Sequence, residues 1–207
     1  MQLPFTPGQF FNLFAEYNDT FWPVVVVLWL ATIAALALGW QHPERWSPTL
    51  SYFLGALWLW NATAYHAFLF TRINPAAWIF SAMFAGQAVL FLRFGRQGRP
   101  VYLSSTGARQ GLGLALGAYS LAYPFLTMAL GHEYPATPTF GLPCPTTLLT
   151  IGALLTVRQR VPVSLSVVPI LWGFIGGSAA ALLEVQTDYV LLAGAALLLA
   201  AVASRSR

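Results

Sequence analysis

Residues 142–157, LPCPTTLLTIGALLTV, decide the fold. These 16 residues carry no charge, yet they fall just short of the roughly 17–25 apolar residues that cross a hydrocarbon core of about 30 Å. Pro143 and Pro145 also interrupt the start of the run. A segment that crosses gives the chain one topology, and a segment that dips in and returns gives it another. Six further apolar runs surround it, from Trp22 to Trp40, Leu50 to Phe70, Ala76 to Leu92, Gly111 to Leu130, Val161 to Leu183 and Tyr189 to Ala203.

Arginine placement separates the two topologies. With all seven segments crossing, Arg45, Arg93, Arg96, Arg99, Arg109, Arg158, Arg160, Arg205 and Arg207 share one side and only Arg72 faces the other. With a re-entrant fifth segment, Arg158, Arg160, Arg205 and Arg207 join Arg72, and the split is even. Short loops rich in arginine stay cytoplasmic, so the uneven split favours seven crossings with the N-terminus outside and the C-terminus inside. The acidic residues agree, because Glu16, Asp19, Glu133, Glu184 and Asp188 then lie outside and only Glu44 inside. Trp22, Trp40, Trp46 and Trp78 fall near span ends, where aromatic belts form.

Composition supports the same class. Of 207 residues, 57% are apolar and 8% charged, against about 25% charged in ordinary soluble domains. A soluble enzyme and a disordered chain are excluded. The net charge of +4 does not indicate nucleic acid, since the arginines sit between apolar runs and form no basic patch. The single Cys excludes an intramolecular disulfide and says nothing of redox compartment.

Residues 1–21 lack the basic start of a signal peptide. Phe10, Phe14, Tyr17 and Phe21 repeat at helical spacing, with Gln9, Asn12, Glu16 and Asp19 on the other side. That pattern predicts a short amphipathic helix, either in the membrane interface or packed on the bundle. The expected architecture is an all-α integral membrane protein, a bundle of seven transmembrane helices over 22–207 preceded by this segment. Gly113 with Gly117 and Gly173 with Gly177 form GxxxG pairs, which close the bundle or join two copies as a homo-oligomer. No internal repeat is visible, so nothing points to an inverted-repeat transporter.

Several residues could carry chemistry. The chain has no lysine, which excludes covalently bound retinal. Cys144, between two prolines at the start of the fifth segment, lies where a helix dipole favours a thiolate, a ligand for soft metal ions. His132 in the preceding loop and His66 near the end of the second span fall at the same level, so Cys144, His132 and His66 are the candidate metal ligands. The alternative for Cys144 is a small buried residue at a rigid helix entrance. Asn61, Tyr65 and Arg72 form a polar stripe on the second span, and ionisable groups in a membrane are functional candidates. Arg72 either pairs with Glu16, Asp19 or Glu133 as a clamp, or binds an anion or substrate. Asn61, Tyr65, Arg72 and Glu16 are therefore the candidate substrate-binding residues. Gln87 reads as an interhelical hydrogen-bond partner. Hydrolase, zinc-protease and phosphate-loop motifs are missing, and a Cys-His pair is the only enzymatic alternative.

Three stretches carry a resemblance: LPFTPGQFFNLFAEYNDTFWP at 3–23, LWLWNATAYHAFLFTRINPAA at 57–77 and PTFGLPCPTT at 138–147. The chain resembles an uncharacterised family of bacterial multi-pass inner-membrane proteins, a domain-of-unknown-function family. The resemblance implies a bacterial inner-membrane location and brings no activity, cofactor or catalytic residue. The functional expectation is a small transporter or binding protein for a metal ion or small solute, with its site at the periplasmic face. The alternative is a non-catalytic accessory, sensor or assembly subunit.

This topology predicts that Ala136→Cys, in a Cys144→Ser background, reacts with a membrane-impermeant thiol reagent in intact cells, whereas Gln97→Cys does not. Labelling of position 97 alone would reverse the orientation.

Overall fold

Apolar runs bounded by proline, glycine and arginine become helices. The structure, a computed structural model, describes residues 4–204. It contains α1 (Pro7–Gln41), α2 (Pro43–Trp60), α3 (Ala77–Arg96), α4 (Gly107–Ala129), α5 (Pro143–Leu155), α6 (Val163–Leu183) and α7 (Tyr189–Ala203), with no strand among the described residues. Five helical stretches, α1, α3, α4, α6 and Gln186–Ala203, are long and apolar enough to cross a membrane. The shorter α2 continues without a break into a π-helical turn, Asn61–Ala67, in which the Phe68 N–H reaches back five residues to the Thr63 carbonyl.

Helix α1 differs from the sequence expectation. Thr6 caps it: its hydroxyl accepts from the Gln9 N–H while the Gln9 side chain accepts from the Thr6 N–H, with Pro7 in the first turn. From there the helix runs through Pro23 to Gln41 as one rod of 35 residues, about 50 Å long. The boundary drawn at 21/22 thus falls inside one helix. Phe14 and Tyr17 are buried against the bundle, while Gln9, Asn12, Glu16 and Asp19 are exposed, so the amphipathic segment packs on its neighbours. Beyond it, Trp22, Val26, Val27, Leu30 and Trp40 are exposed, the pattern of a peripheral helix facing lipid.

Helix α5 lies at the centre. All of its residues except Cys144 are buried. It runs antiparallel to α4: Ser120 donates to the Pro145 carbonyl at one end, and at the other Thr156 receives the N–H groups of Leu103, Ser104 and Ser105. The fifth segment therefore does not turn back, and all seven segments alternate in direction. At 13 residues it is only about 20 Å long. Buried loop, including Thr137, Thr139, Phe140, Thr156, Val157 and Val161, makes up the remaining length. Irregular backbone is tolerated at such depth only inside protein with its polar groups satisfied. Asn18 of α1 provides this for the 131–142 loop, donating to the carbonyls of Pro135 (2.6 Å) and Thr137 (2.9 Å) and accepting from the Thr139 hydroxyl.

Arg45, Arg93, Arg96, Arg99, Arg109, Arg158 and Arg160 belong to one end of the bundle, where Tyr102 meets Ser47 and Val101 meets Gln159. Arg72 sits at the other end; Arg205 and Arg207 lie outside the described residues. Gly113 of α4 and both GxxxG glycines of α6 make close contacts within the chain, whereas a Cβ on Gly117 would meet nothing within 4 Å. A Cβ on Gly113 would lie 2.6 Å from the Gly152 carbonyl oxygen, and one on Gly152 would lie 2.6 Å from that of Gly113. On α6, Gly173 meets Ala195 and Gly177 meets Leu192 of α7. As expected, Gln87 bridges two helices, donating to the Leu165 carbonyl at 2.9 Å.

Gly152→Ala forces backbone atoms apart and should destabilise by about 1–3 kcal/mol. Gly111→Ala, whose Cβ would meet nothing within 4 Å, should leave stability unchanged or slightly higher. Thermal unfolding in detergent, followed by circular dichroism, compares the two. Equal melting temperatures would refute the close α4–α5 contact.

Candidate ligand site

The end of the bundle opposite the arginine cluster holds a cavity of about 180 Å³. Its walls come from α1 (Phe10, Phe14), the π-helical turn (Tyr65), the chain around Phe70, α3 (Phe80) and α6 (Trp172, Gly176, Ala179). Cys144 and Asp188 also line it. The π-helical turn matters here, because one extra residue in the turn re-aims the side chains that follow, and such turns recur at functional sites.

Asp188 closes the 3-10 turn Gln186–Asp188 that leads into α7. Three residues of α4, spaced at i, i+4 and i+8 on one helix face, secure this turn. Tyr119 donates to the Thr187 carbonyl (3.0 Å), the Tyr123 hydroxyl donates to Asp188 Oδ1, and the Thr127 hydroxyl meets that of Thr187 (3.1 Å). The other carboxylate oxygen, Oδ2, accepts from Cys144 Sγ at 3.3 Å. Asp188 is 7% exposed, and among the described residues no cationic side chain pairs with it.

Cys144 is the second residue of α5, after the Leu142 cap and Pro143. Its thiol is a donor to a carboxylate, not a free thiolate at a helix start. His66 is fully buried among Phe84 (ring centroids 4.5 Å apart), Trp172 (5.1 Å) and Phe80 (5.8 Å), with neither ring nitrogen hydrogen-bonded. His132 stacks on Phe11 (4.9 Å), and its Nε2 lies 3.4 Å from the Glu184 carbonyl. The three expected metal ligands thus occupy three settings, and no three His, Cys, Asp or Glu among the described residues are arranged to hold a metal ion. Neither imidazole hydrogen-bonds Cys144, so the structure does not assemble the Cys-His pair.

Of the expected substrate-binding residues, Tyr65 alone is on the cavity wall, stacked between Phe14 and Phe70. Asn61 is buried and joins the π-helical turn to α5, donating to the Leu57 carbonyl (2.8 Å) and the Thr146 hydroxyl (3.1 Å). Arg72 and Glu16 form an exposed ion pair at 2.8 Å that ties α1 to the end of the second segment, the clamp arrangement. Sequence reasoning missed Asp188 as a site residue, counting it only among the acidic residues of the outer side. The Tyr119–Tyr123–Thr127 stripe in an otherwise apolar helix was the available signal, since polar groups in such a helix face the interior.

No curated protein and no solved structure matches this chain. Residues 7–207 match the family described as "Family of unknown function (DUF6064)". Covering nearly the whole length, that match shows that the protein belongs to this family.

Proposed function

We propose that the protein is a multi-pass membrane protein that binds a small solute in the aromatic cavity ending at Cys144 and Asp188. One observation carries this reading: a buried carboxylate and a thiol converge on an unfilled apolar cavity. Convergent polar groups at the end of an apolar pocket are the usual form of a small-molecule site, and an acidic side chain within a membrane bundle marks function by default.

The alternating direction of all seven segments supports seven crossings, and the arginine-rich end supports a cytoplasmic placement of that end. The site then opens to the outside, with the N-terminus periplasmic and the C-terminus cytoplasmic in a bacterial inner membrane. Toward the arginine-rich end, the Asn61–Thr146 and Trp58–Thr150 (2.9 Å) hydrogen bonds tie the second helix to α5. A transport cycle that carried a solute past this point would have to break them.

The only cysteine reports on this site directly. A small methanethiosulfonate should modify Cys144 slowly in the purified protein at alkaline pH, because the hydrogen bond to Asp188 keeps the proton on sulfur, and Ala179→Leu, which fills the cavity, should slow the reaction roughly tenfold further. A thiol that reacts equally fast after filling, or not at all in the wild type, would contradict a solute-accessible cavity.

A further inference from the structure

Burying an ionised carboxylate is costly unless it is paired. Asp188 receives two hydrogen bonds, from Tyr123 and Cys144, but no cation among the described residues. Asp188 is the N-cap of α7 and meets the first turn of α5, so two helix dipoles favour its charge. No cationic side chain among the described residues pairs with it, and the open space beside it can hold a cation.

The walls narrow the chemistry of the missing partner. Phe10, Phe14, Phe70, Phe80, Tyr65 and Trp172 surround the space. Aromatic faces attract cations through the ring quadrupole, and cages of such rings recognise alkylated ammonium groups. An anion would face Asp188 directly and gains nothing here. Hard metal ions such as calcium need six to eight oxygen ligands, which an aromatic wall with one carboxylate does not provide. The end of α6 at Leu183 also borders the cavity, and a helix C-terminus favours positive charge.

Two further features fit an organic ligand. The buried indole N–H of Trp172 lies close to the Cys144 sulfur on the cavity wall: a Cβ on Gly176 would lie 3.5 Å from Trp172 Nε1 and 3.9 Å from Cys144 Sγ. A cavity of about 150 Å³ holds benzene, so this one, at about 180 Å³, accommodates a single ring with a short tail.

Building on the small-solute reading, we propose that the cavity takes a compact organic amine in its protonated form. Its ammonium pairs with Asp188 and its apolar body lies among Phe10, Phe14, Phe80 and Trp172. The carboxylate then acts as the selectivity element, and the aromatic cage serves both the charge and the body of the ligand.

The test compares phenethylamine with 2-phenylethanol at neutral pH, by calorimetry on the full chain purified in detergent. The two probes share shape and differ in charge. Wild type should bind the amine about tenfold or more tightly than the alcohol, as expected for a desolvated charge pair. Asp188→Asn, which keeps an acceptor for Tyr123, should bring the two within about twofold, and Ala179→Leu should lose both. Phe10→Leu, at a partly exposed position that preserves apolar volume, should weaken the amine about threefold more than the alcohol. It decides the matter alone if Asp188→Asn does not fold. Equal binding of the probes to wild type, or a preference surviving in Asp188→Asn, overturns the amine proposal and leaves the small-solute reading standing. Binding of neither probe to wild type overturns both.

Discussion

The close approach of α4 and α5 at Gly113 and Gly152 governs the rest of the architecture. With no side chain on either glycine, each Cβ position falls 2.6 Å from the other's carbonyl oxygen, a distance no larger residue could occupy. In lipid, where there is little hydrophobic gain between helices, such close packing is a main source of association. It draws α5 into the middle of the bundle, so that even its threonines are buried. A central helix of 13 residues cannot match its longer neighbours, and the chain on either side must descend into protein to reach it. The cavity forms where that descent leaves space beside Pro143 and Cys144.

Buried loops need internal hydrogen-bond partners, and the structure supplies them from single well-placed side chains. Asn18 uses both its amide donor and its carbonyl to hold the loop from Pro135 to Thr139. At the basic end, Thr156 does similar work for Leu103, Ser104 and Ser105. The tyrosines and threonine of α4 fix the turn before α7 and so place Asp188 against Cys144. Local satisfaction of backbone and side-chain groups therefore builds the site; the site is not an addition to a finished fold.

Much of the scaffold was legible in the sequence, because the helices are charge-poor runs with most of their ends marked by proline, glycine or arginine. That residues 142–157 run antiparallel to α4 without turning back agrees with the reading from arginine placement. That Gln87 bonds another helix followed from the isolation of a polar amide in an apolar run; which helix did not. The continuity of α1 was not legible, because Pro23 lies where a break is natural and the helix tolerates it. The grouping of Cys144 with Asp188 was hidden for a different reason. An expected shared level says nothing about azimuth, and Cys144, His66 and His132 turn toward different neighbours. The π-helical turn, which no periodicity announces, turns His66 into aromatic rings and Tyr65 onto the cavity.

The most direct measurement is an anomalous-scattering map of the protein crystallised from a lipid phase with 4-bromophenethylamine. The account predicts a bromine peak among Phe10, Phe80 and Trp172, with the ammonium within hydrogen-bond distance of the Asp188 carboxylate. A cavity filled by protein side chains, or bromine lying against Asp188 with the ammonium pointing away, would contradict it.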